Sequence, residues 1–354
     1  MSVHRLPEDR GCGARGGAGS LARRRGGHER GQSARPIACR DRAGQALADR
    51  ADQALAEARV RSALSTLEVV RPRSLDHALE ALGRSVSGER LVPLAGGTDL
   101  FVYLNAGTPP GTRYLDLWGL RELRGIRVRD GGVRLGALTT FREIREHPVL
   151  GRRFPSLVAA AAEVGAWQIQ NRATLAGNIA NASPAGDSLP VLMAHDAKVD
   201  VRSARGAREV AFERLYRGYR ELTVDADELI TAVTLPFPPA RSFPFFRKVG
   251  TRRAQSISKV VFSGLLALDR ERRIAHVRLA YGSVAPVTLR ARRAERALRG
   301  EPLAASVAAR ARAALAEDIA PIDDIRSSRD YRLAVAGNLL EQFLRAAAES
   351  RARR

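Results

Sequence analysis

Two glycine-bearing stretches carry the groups best suited to holding a polar ligand. In Val92-Pro93-Leu94-Ala95-Gly96-Gly97-Thr98-Asp99-Leu100 a short apolar run feeds two residues without a β-carbon, then a hydroxyl, then a helix start. That order can aim several backbone N–H groups at an anion, and glycine allows close approach by a phosphate. Asp99 beside a phosphate must turn away or cap the helix N-terminus, where its charge is favourable. A plain tight turn is the other reading of Gly-Gly after a strand. The second stretch, Thr174 to Asp187, packs two glycines, two asparagines, a serine, a proline and an acid into fourteen residues between apolar segments. So many groups with local hydrogen-bonding capacity lower stability unless they wrap something polar or extended. Its alternative is an ordinary long surface loop. The two stretches together could grip the two ends of a dinucleotide.

Other constellations are missing. The six histidines (His4, His28, His77, His147, His195, His276) stand singly, without ligand spacing to another His or Cys, so a metal or haem site is not expected. No G-x-S-x-G elbow and no Walker lysine loop occurs. His195-Asp196 reads as ordinary polar residues in a loop or at a strand edge. Cys12 and Cys39, the only cysteines, exclude a disulfide framework and any cluster needing four thiolates.

The 354-residue chain carries a formal charge of +21, with 59 Lys+Arg against 38 Asp+Glu. Only Lys198, Lys248 and Lys259 are lysines, a bias that a GC-rich coding sequence produces without any nucleic-acid role. Aromatic residues are 5% and the arginines are scattered, so no basic-aromatic face for nucleic acid is expected. No apolar run approaches the ~18 residues of a membrane span. Arg23-Arg24-Arg25 runs into Gly26-Gly27-His28-Glu29 rather than an apolar stretch, so no secretory or twin-arginine signal is expected and the protein reads as cytoplasmic.

The elements that must position these stretches follow from periodicity. Residues 1–64 form an Arg/Gly-rich extension: Arg10 to Gln32 has eight glycines and no apolar period, so disorder is expected, with a polar helix conceivable over 43–64. A start codon assigned too far upstream explains this segment equally well. Leu67–Val70, Leu91–Leu94 and Tyr114–Leu117 read as strands, separated by a Ser74-capped helix that Gly83 ends and by a helix over Leu100–Asn105. That β-α-β-α-β order favours a small parallel sheet. Residues 126–135 form a hairpin about Asp130-Gly131, Thr140 and Glu143 a capping box for a helix that Pro148 stops, and Pro155–Val164 a helix. Strands follow near 198–202 and 229–235, and Pro236-Phe237-Pro238-Pro239 marks a boundary. Beyond it, strands near 245–249, 264–269 and 274–280 precede helices over 289–298, 304–315 and 328–348, an α+β pattern. The expected domains are 65–240, in halves of about 65–120 and 121–240, then 241–347, with a basic tail at 348–354.

Three motifs give these segments a family likeness. Ala95-Gly96-Gly97-Thr98-Asp99-Leu100, Ala173-Thr174-Leu175-Ala176-Gly177-Asn178 running on to Asp187, and Phe246-Arg247-Lys248-Val249-Gly250 running on to Val260 resemble the FAD-binding (medium) subunit of the xanthine dehydrogenase and carbon monoxide dehydrogenase family of molybdenum hydroxylases. Tyr281-Gly282-Ser283-Val284-Ala285-Pro286 and Tyr331–Leu340 resemble its C-terminal domain. The likeness spans about 66–346 in the family's order. It implies a vanillyl-alcohol-oxidase-like (PCMH-type) FAD-binding domain of two α/β subdomains, followed by a smaller domain of antiparallel strands and helices.

By the same likeness FAD lies between the subdomains, its pyrophosphate on Val92–Leu100. Thr174, Leu175, Ala176, Gly177 and Asn178 complete the phosphate and ribityl grip, and Asp187 matches the acid at the cofactor's sugar or adenine end. Val164, Ile230 and Lys248 match further flavin contacts. Lys248 also stands out on its own, since a retained lysine in an arginine-rich chain suits a site for a compact ammonium. The sequence departs from the family at Ala176, where the first of two glycines is usual, so the extra methyl is either accommodated or crowds the cofactor. The implied role is electron transfer. A molybdenum-cofactor large subunit oxidises substrate, a 2Fe-2S small subunit relays electrons, and FAD passes them to NAD or another acceptor. A flavin-free structural subunit and a basic nucleic-acid-binding protein are the alternatives.

Overall fold

The computed structural model describes residues 67–85, 90–252 and 255–352. The extension at 1–64, its conceivable helix and the last two residues of the tail lie outside the described residues.

Three parallel strands, β1 (Glu68–Val70), β2 (Leu91–Leu94) and β3 (Arg113–Asp116), form a sheet in the order β1-β3-β2. Helices α1 (Leu75–Ser85) and α2 (Leu100–Asn105) make the connections. α1 buries Leu75, Ala78, Leu79 and Leu82, the stripe set by its apolar spacing, and the Ser74 hydroxyl accepts the His77 N–H at 3.2 Å. Gly83 does not end this helix, which runs to Ser85. The space where a β-carbon of Gly83 would stand is open, so nothing there forces the chain out of the helix.

The next layer is antiparallel throughout. β4 (Ile126–Arg129), β5 (Gly132–Gly136), β6 (Lys198–Ser203), β7 (Gly206–Ala211) and β10 (Leu229–Pro236) pair in the order β4-β5-β10-β6-β7. Gly131, at φ +82°, makes the first hairpin turn. β7 and a small hairpin of β8 (Tyr216–Gly218) and β9 (Glu221–Leu222) were not expected from sequence. β7 is exposed at all but Val210, so it shows no apolar alternation. Between β5 and β6 run α3 (Phe141–Glu146), α4 (Pro148–Arg153), α5 (Pro155–Glu163), α6 (Trp167–Gln170), α7 (Leu175–Asn181) and α8 (Leu189–Ala194). Thr140 and Glu143 form the expected capping box of α3, and Pro148 also opens α4. Half of the stretch read as a loop, Leu175–Asn181, is α7. The Thr174 hydroxyl accepts the Gly177 N–H at 3.1 Å and starts that helix.

The C-terminal sheet is antiparallel, ordered β11 (Phe243–Val249), β12 (Val260–Leu268), β13 (Ile274–Gly282), β14 (Leu289–Arg290). It is followed by α9 (Arg292–Leu298), α10 (Ala305–Ala316) and α11 (Arg329–Ala352). The helix expected from Leu289 begins at Arg292, because Leu289 and Arg290 pair with Tyr281 and Ala280. Phe243, Phe245, Phe262, Tyr281 and Phe343 stack into one aromatic cluster. α8, buried at all six residues, packs on β12 and β13 as well as α5. Beside it Asp196 accepts from Arg278 (2.9 Å) and Arg290 (3.0 Å), and Arg290 in turn holds the buried Glu295. Asp196 is thus the hub of an ion-pair network rather than a bystander.

Two consequences are measurable. Gly264 of β12 leaves room for the aromatic cluster, since a β-carbon there would lie 2.9 Å from the Phe343 ring. Gly264→Ala is expected to destabilise the protein by about 1–3 kcal/mol in urea denaturation, the usual effect of overpacking a core. His195 is buried against Phe154, its Nε2 3.1 Å from the Ser156 hydroxyl. Burial lowers its pKa to about 4, with Asp196 opposing and His276 adding to the shift. The unfolded chain therefore binds a proton that the folded one refuses between about 6.5 and about 4, so stability falls as pH drops through that window, by roughly 3 kcal/mol. The urea midpoint should show this slope and His195→Gln should flatten it; an equal slope in the variant would contradict the assignment.

Candidate functional site

The first glycine stretch leaves the carboxyl end of β2, the edge at which open α/β sheets hold ligands. Gly97 sits at φ +80°, a conformation that glycine adopts without strain. Gly96 lies against the segment that leads into the second stretch: a β-carbon on it would be 1.9 Å from the Arg172 carbonyl oxygen. The position of a β-carbon on Gly177 is 4.0 Å from the Ala95 methyl and 2.8 Å from the Thr174 hydroxyl. The two turns therefore touch through atoms that only small residues allow. Backbone N–H groups of Gly96, Gly97, Thr98, Asp99 and Leu100 find no acceptor among the described residues. Asp99 occupies the cap position of α2 without a side-chain cap bond. Its side chain reaches the surface, yet surrounding protein desolvates the carboxyl enough to raise its pKa, against the pull of Arg220.

Beyond α7 the site continues as a chain of hydrogen bonds. Ser188 Oγ donates to Asn178 Oδ1 at 2.7 Å, and the neighbouring Asp187 is buried. Lys248 Nζ donates to Asp187 Oδ2 (2.7 Å) and to the Glu163 carbonyl (3.1 Å), and Ser258 Oγ donates to Asp187 Oδ1 (2.6 Å). Burial raises the Asp187 carboxyl above its ordinary value, opposed by the Lys248 ammonium and the Ser258 hydroxyl. Val164, next to Glu163, turns out of α5 and its carbonyl accepts from Gln170 Nε2 at 3.0 Å.

Among the residues singled out from sequence, the structure brings Ala95, Gly96, Gly177 and Thr174 together, links Asn178 to the Asp187 segment, and joins Asp187, Lys248 and the Val164 turn. Val92 and Leu94 are half-buried β2 residues and Pro93 is exposed. Leu175 and Ala176 face the core, Ala176 with 6% exposure, so its methyl packs among apolar side chains. Ile230 is a core residue of β10, the strand on which α7 packs. Sequence reasoning missed Gln170, Ser188, Ser258 and Tyr103. Gln170 is 3% exposed, accepts from Arg145 Nη1 and donates to the Ala162 and Val164 carbonyls. No spacing rule announces such side chains, because their partners, backbone carbonyls for Gln170 and distant side chains for the others, are brought to them by the fold.

Comparisons with known proteins identify the family. Residues 65–238 match the family model described as the FAD binding domain in molybdopterin dehydrogenase, and 245–347 match the CO dehydrogenase flavoprotein C-terminal domain. The putative xanthine dehydrogenase FAD-binding subunit of Escherichia coli K12 is 34% identical over 244 residues, 68% of this chain and 82% of the relative. The carbon monoxide dehydrogenase medium chain of Hydrogenophaga pseudoflava is 28% identical over 281 residues, 78% of this chain and 95% of the relative. A solved carbon monoxide dehydrogenase from that organism superposes with TM-score 0.76 at 26% identity, covering 80% of this chain and 97% of its own. Quinoline 2-oxidoreductase from Pseudomonas putida 86 superposes with TM-score 0.74 at 25% identity, covering 80% and 97%. Fold and these matches thus define a flavin-binding oxidoreductase subunit. The chain belongs to the FAD-binding medium-subunit family of the molybdenum hydroxylases, which includes xanthine and carbon monoxide dehydrogenases.

The contact between the turns can be tested directly. Gly96→Ala sets a methyl on the Arg172 carbonyl, and Gly177→Ala sets one on the hydroxyl that caps α7. Each is expected to weaken FAD uptake by about tenfold or more in a reconstitution titration, the equivalent of ordinary overpacking, while far-UV circular dichroism stays unchanged. Wild-type uptake by Gly96→Ala would show that the turns can part without loss.

Proposed function

We propose that Val92 to Leu100 and Thr174 to Asn178 hold the FAD diphosphate between them, with Asp187, Lys248, Val164 and Ile230 serving the rest of the cofactor. The observation that carries this is the row of N–H donors from Gly96 to Leu100 that find no acceptor in the described protein, set against the Thr174 turn. Backbone donors without protein partners suit an anion. A dinucleotide also needs a polar wall beyond its phosphates, and the Asn178, Ser188, Asp187 and Lys248 sequence of bonds lies next along the chain. Ala176 does not crowd this space, because its methyl is in the core, which favours the flavin-binding reading over a flavin-free subunit.

When bound, FAD supplies the redox chemistry, exchanging electrons one or two at a time. The chain's own residues position it. The turns fix the diphosphate, and the Lys248 ammonium, 4% exposed, adds fixed positive charge beside the Asp187 carboxylate. Both cysteines lie in the 1–64 segment, and a four-thiolate cluster cannot be built from two. The reading is therefore of a subunit that receives electrons from a 2Fe-2S small subunit, itself served by a molybdenum-cofactor large subunit, and delivers them to NAD or another acceptor. Among the described residues no helix is long and apolar enough to cross a membrane. A cytoplasmic location is part of the same proposal.

The test uses the FAD-loaded chain and its co-purified complex. NADH should bleach the visible flavin absorbance of the chain alone, whereas hydroxylation of a substrate should need the complex. A chain whose flavin neither NADH nor substrate-reduced partners can reduce would refute the electron-transfer role.

A further inference from the structure

We propose that Tyr103 and Arg220 form a clasp that fixes the separation of the two glycine turns and so governs how long FAD stays bound. The proposal rests on the FAD reading of those turns.

The need for a clasp arises from α2. This helix follows the first turn directly, has six residues and fully buries only Leu104; Phe101 and Val102 are 56% and 62% exposed. So short a helix has little stability of its own, and its placement depends on what its side chains catch. Leu104 is buried, and Tyr103 adds directed bonds to two other elements. Its hydroxyl donates to Oδ1 of Asn181, the last residue of α7, at 3.1 Å. The same hydroxyl accepts from Arg220 Nη1 at 2.8 Å, a charge-assisted bond.

Arg220 stands at the tip of the β8/β9 hairpin, at φ +56°, with its guanidinium 5.9 Å from the Tyr103 ring and 5.8 Å from that of Tyr219. At the base of the same hairpin the hydroxyl of half-buried Tyr216 donates to the Ile179 carbonyl of α7 at 3.0 Å. The hairpin thus grips α7 at its root and α2 at its tip. At the other end of the two helices the turns meet through Gly96 and Arg172, and through Ala95 and Gly177. Contacts at both ends set the spacing. With the clasp gone the turn contact and the buried Leu104 remain, and α2 opens locally more often, taking the N–H row of Gly96 to Leu100 with it. Tyr103 and Arg220 are positioning residues here and no chemistry is assigned to them.

Tyr103→Phe removes the hydroxyl alone. Arg220→Asn removes the guanidinium while keeping a residue that tolerates the left-handed backbone. In the FAD-loaded chain each variant should release FAD about fivefold to tenfold faster than wild type, the effect of one lost hydrogen bond. The double variant should be no faster than the faster single one, because both act through one chain of bonds. In the FAD-free chain, amide hydrogen exchange over 96–105 should quicken in Tyr103→Phe, while the flavin potential of the loaded form should not move. Wild-type release and exchange in Tyr103→Phe, or additive effects in the double variant, would overturn the clasp. A wild-type chain that takes up no FAD would instead bring down the flavin reading, and the retention role with it.

Discussion

Gly96 meets the Arg172 carbonyl at a distance that no residue with a β-carbon could occupy. Two turns far apart in sequence are therefore pressed backbone to backbone, and the helices that follow them, α2 and α7, are joined by the Tyr103–Asn181 bond. The arrangement leaves a run of N–H groups on the first turn without protein partners, while the Thr174 hydroxyl settles the Gly177 N–H of the second. Helix starts leave such donors free, and close glycine backbone lets an anion reach them. The small parallel sheet, the antiparallel sheet and their crossovers can be regarded as the frame that keeps this one contact closed.

The C-terminal sheet also reaches the proposed cofactor site. Lys248 of β11 and Ser258, just ahead of β12, both bond the carboxylate of Asp187, which stands ahead of α8. The Pro184 carbonyl accepts the Ser283 N–H, and the buried Arg332 of α11 ties the Ser283 carbonyl to Asp324. A buried ion pair contributes little net stability unless its remaining bonds are satisfied. Here Asp187 has Lys248 and Ser258, and Lys248 has the Glu163 carbonyl besides. That set of partners specifies where the Asp187 segment lies more than it strengthens the fold.

Much of this was legible in the residue order. The apolar stripe of α1, the Thr140 and Glu143 box, the Asp130-Gly131 turn and the left-handed turn at Gly97 all act through neighbours a few positions away, so local rules suffice. Where the reading slipped, a longer-range partner decided. Leu289 and Arg290 are strand because β13 lies beside them. β7 is held by β6 alone and carries no apolar alternation to betray it. Gln170 and Ser258 are invisible to spacing arguments, since one is satisfied by backbone carbonyls and the other by an acid 71 residues away.

By itself the sequence determined which residues lack a β-carbon, where helices could begin, which chain segments alternate, and the family motifs that imply a flavin. Tertiary structure alone decided that Gly96 faces Arg172, that Asp187 pairs with Lys248 and that the Ala176 methyl turns into the core. The division has a physical cause. Capping, turn and amphipathic preferences are short-range and are settled within a few residues. Close backbone approach and buried ion pairing join segments tens of residues apart, and they exist only once packing has excluded water from between them.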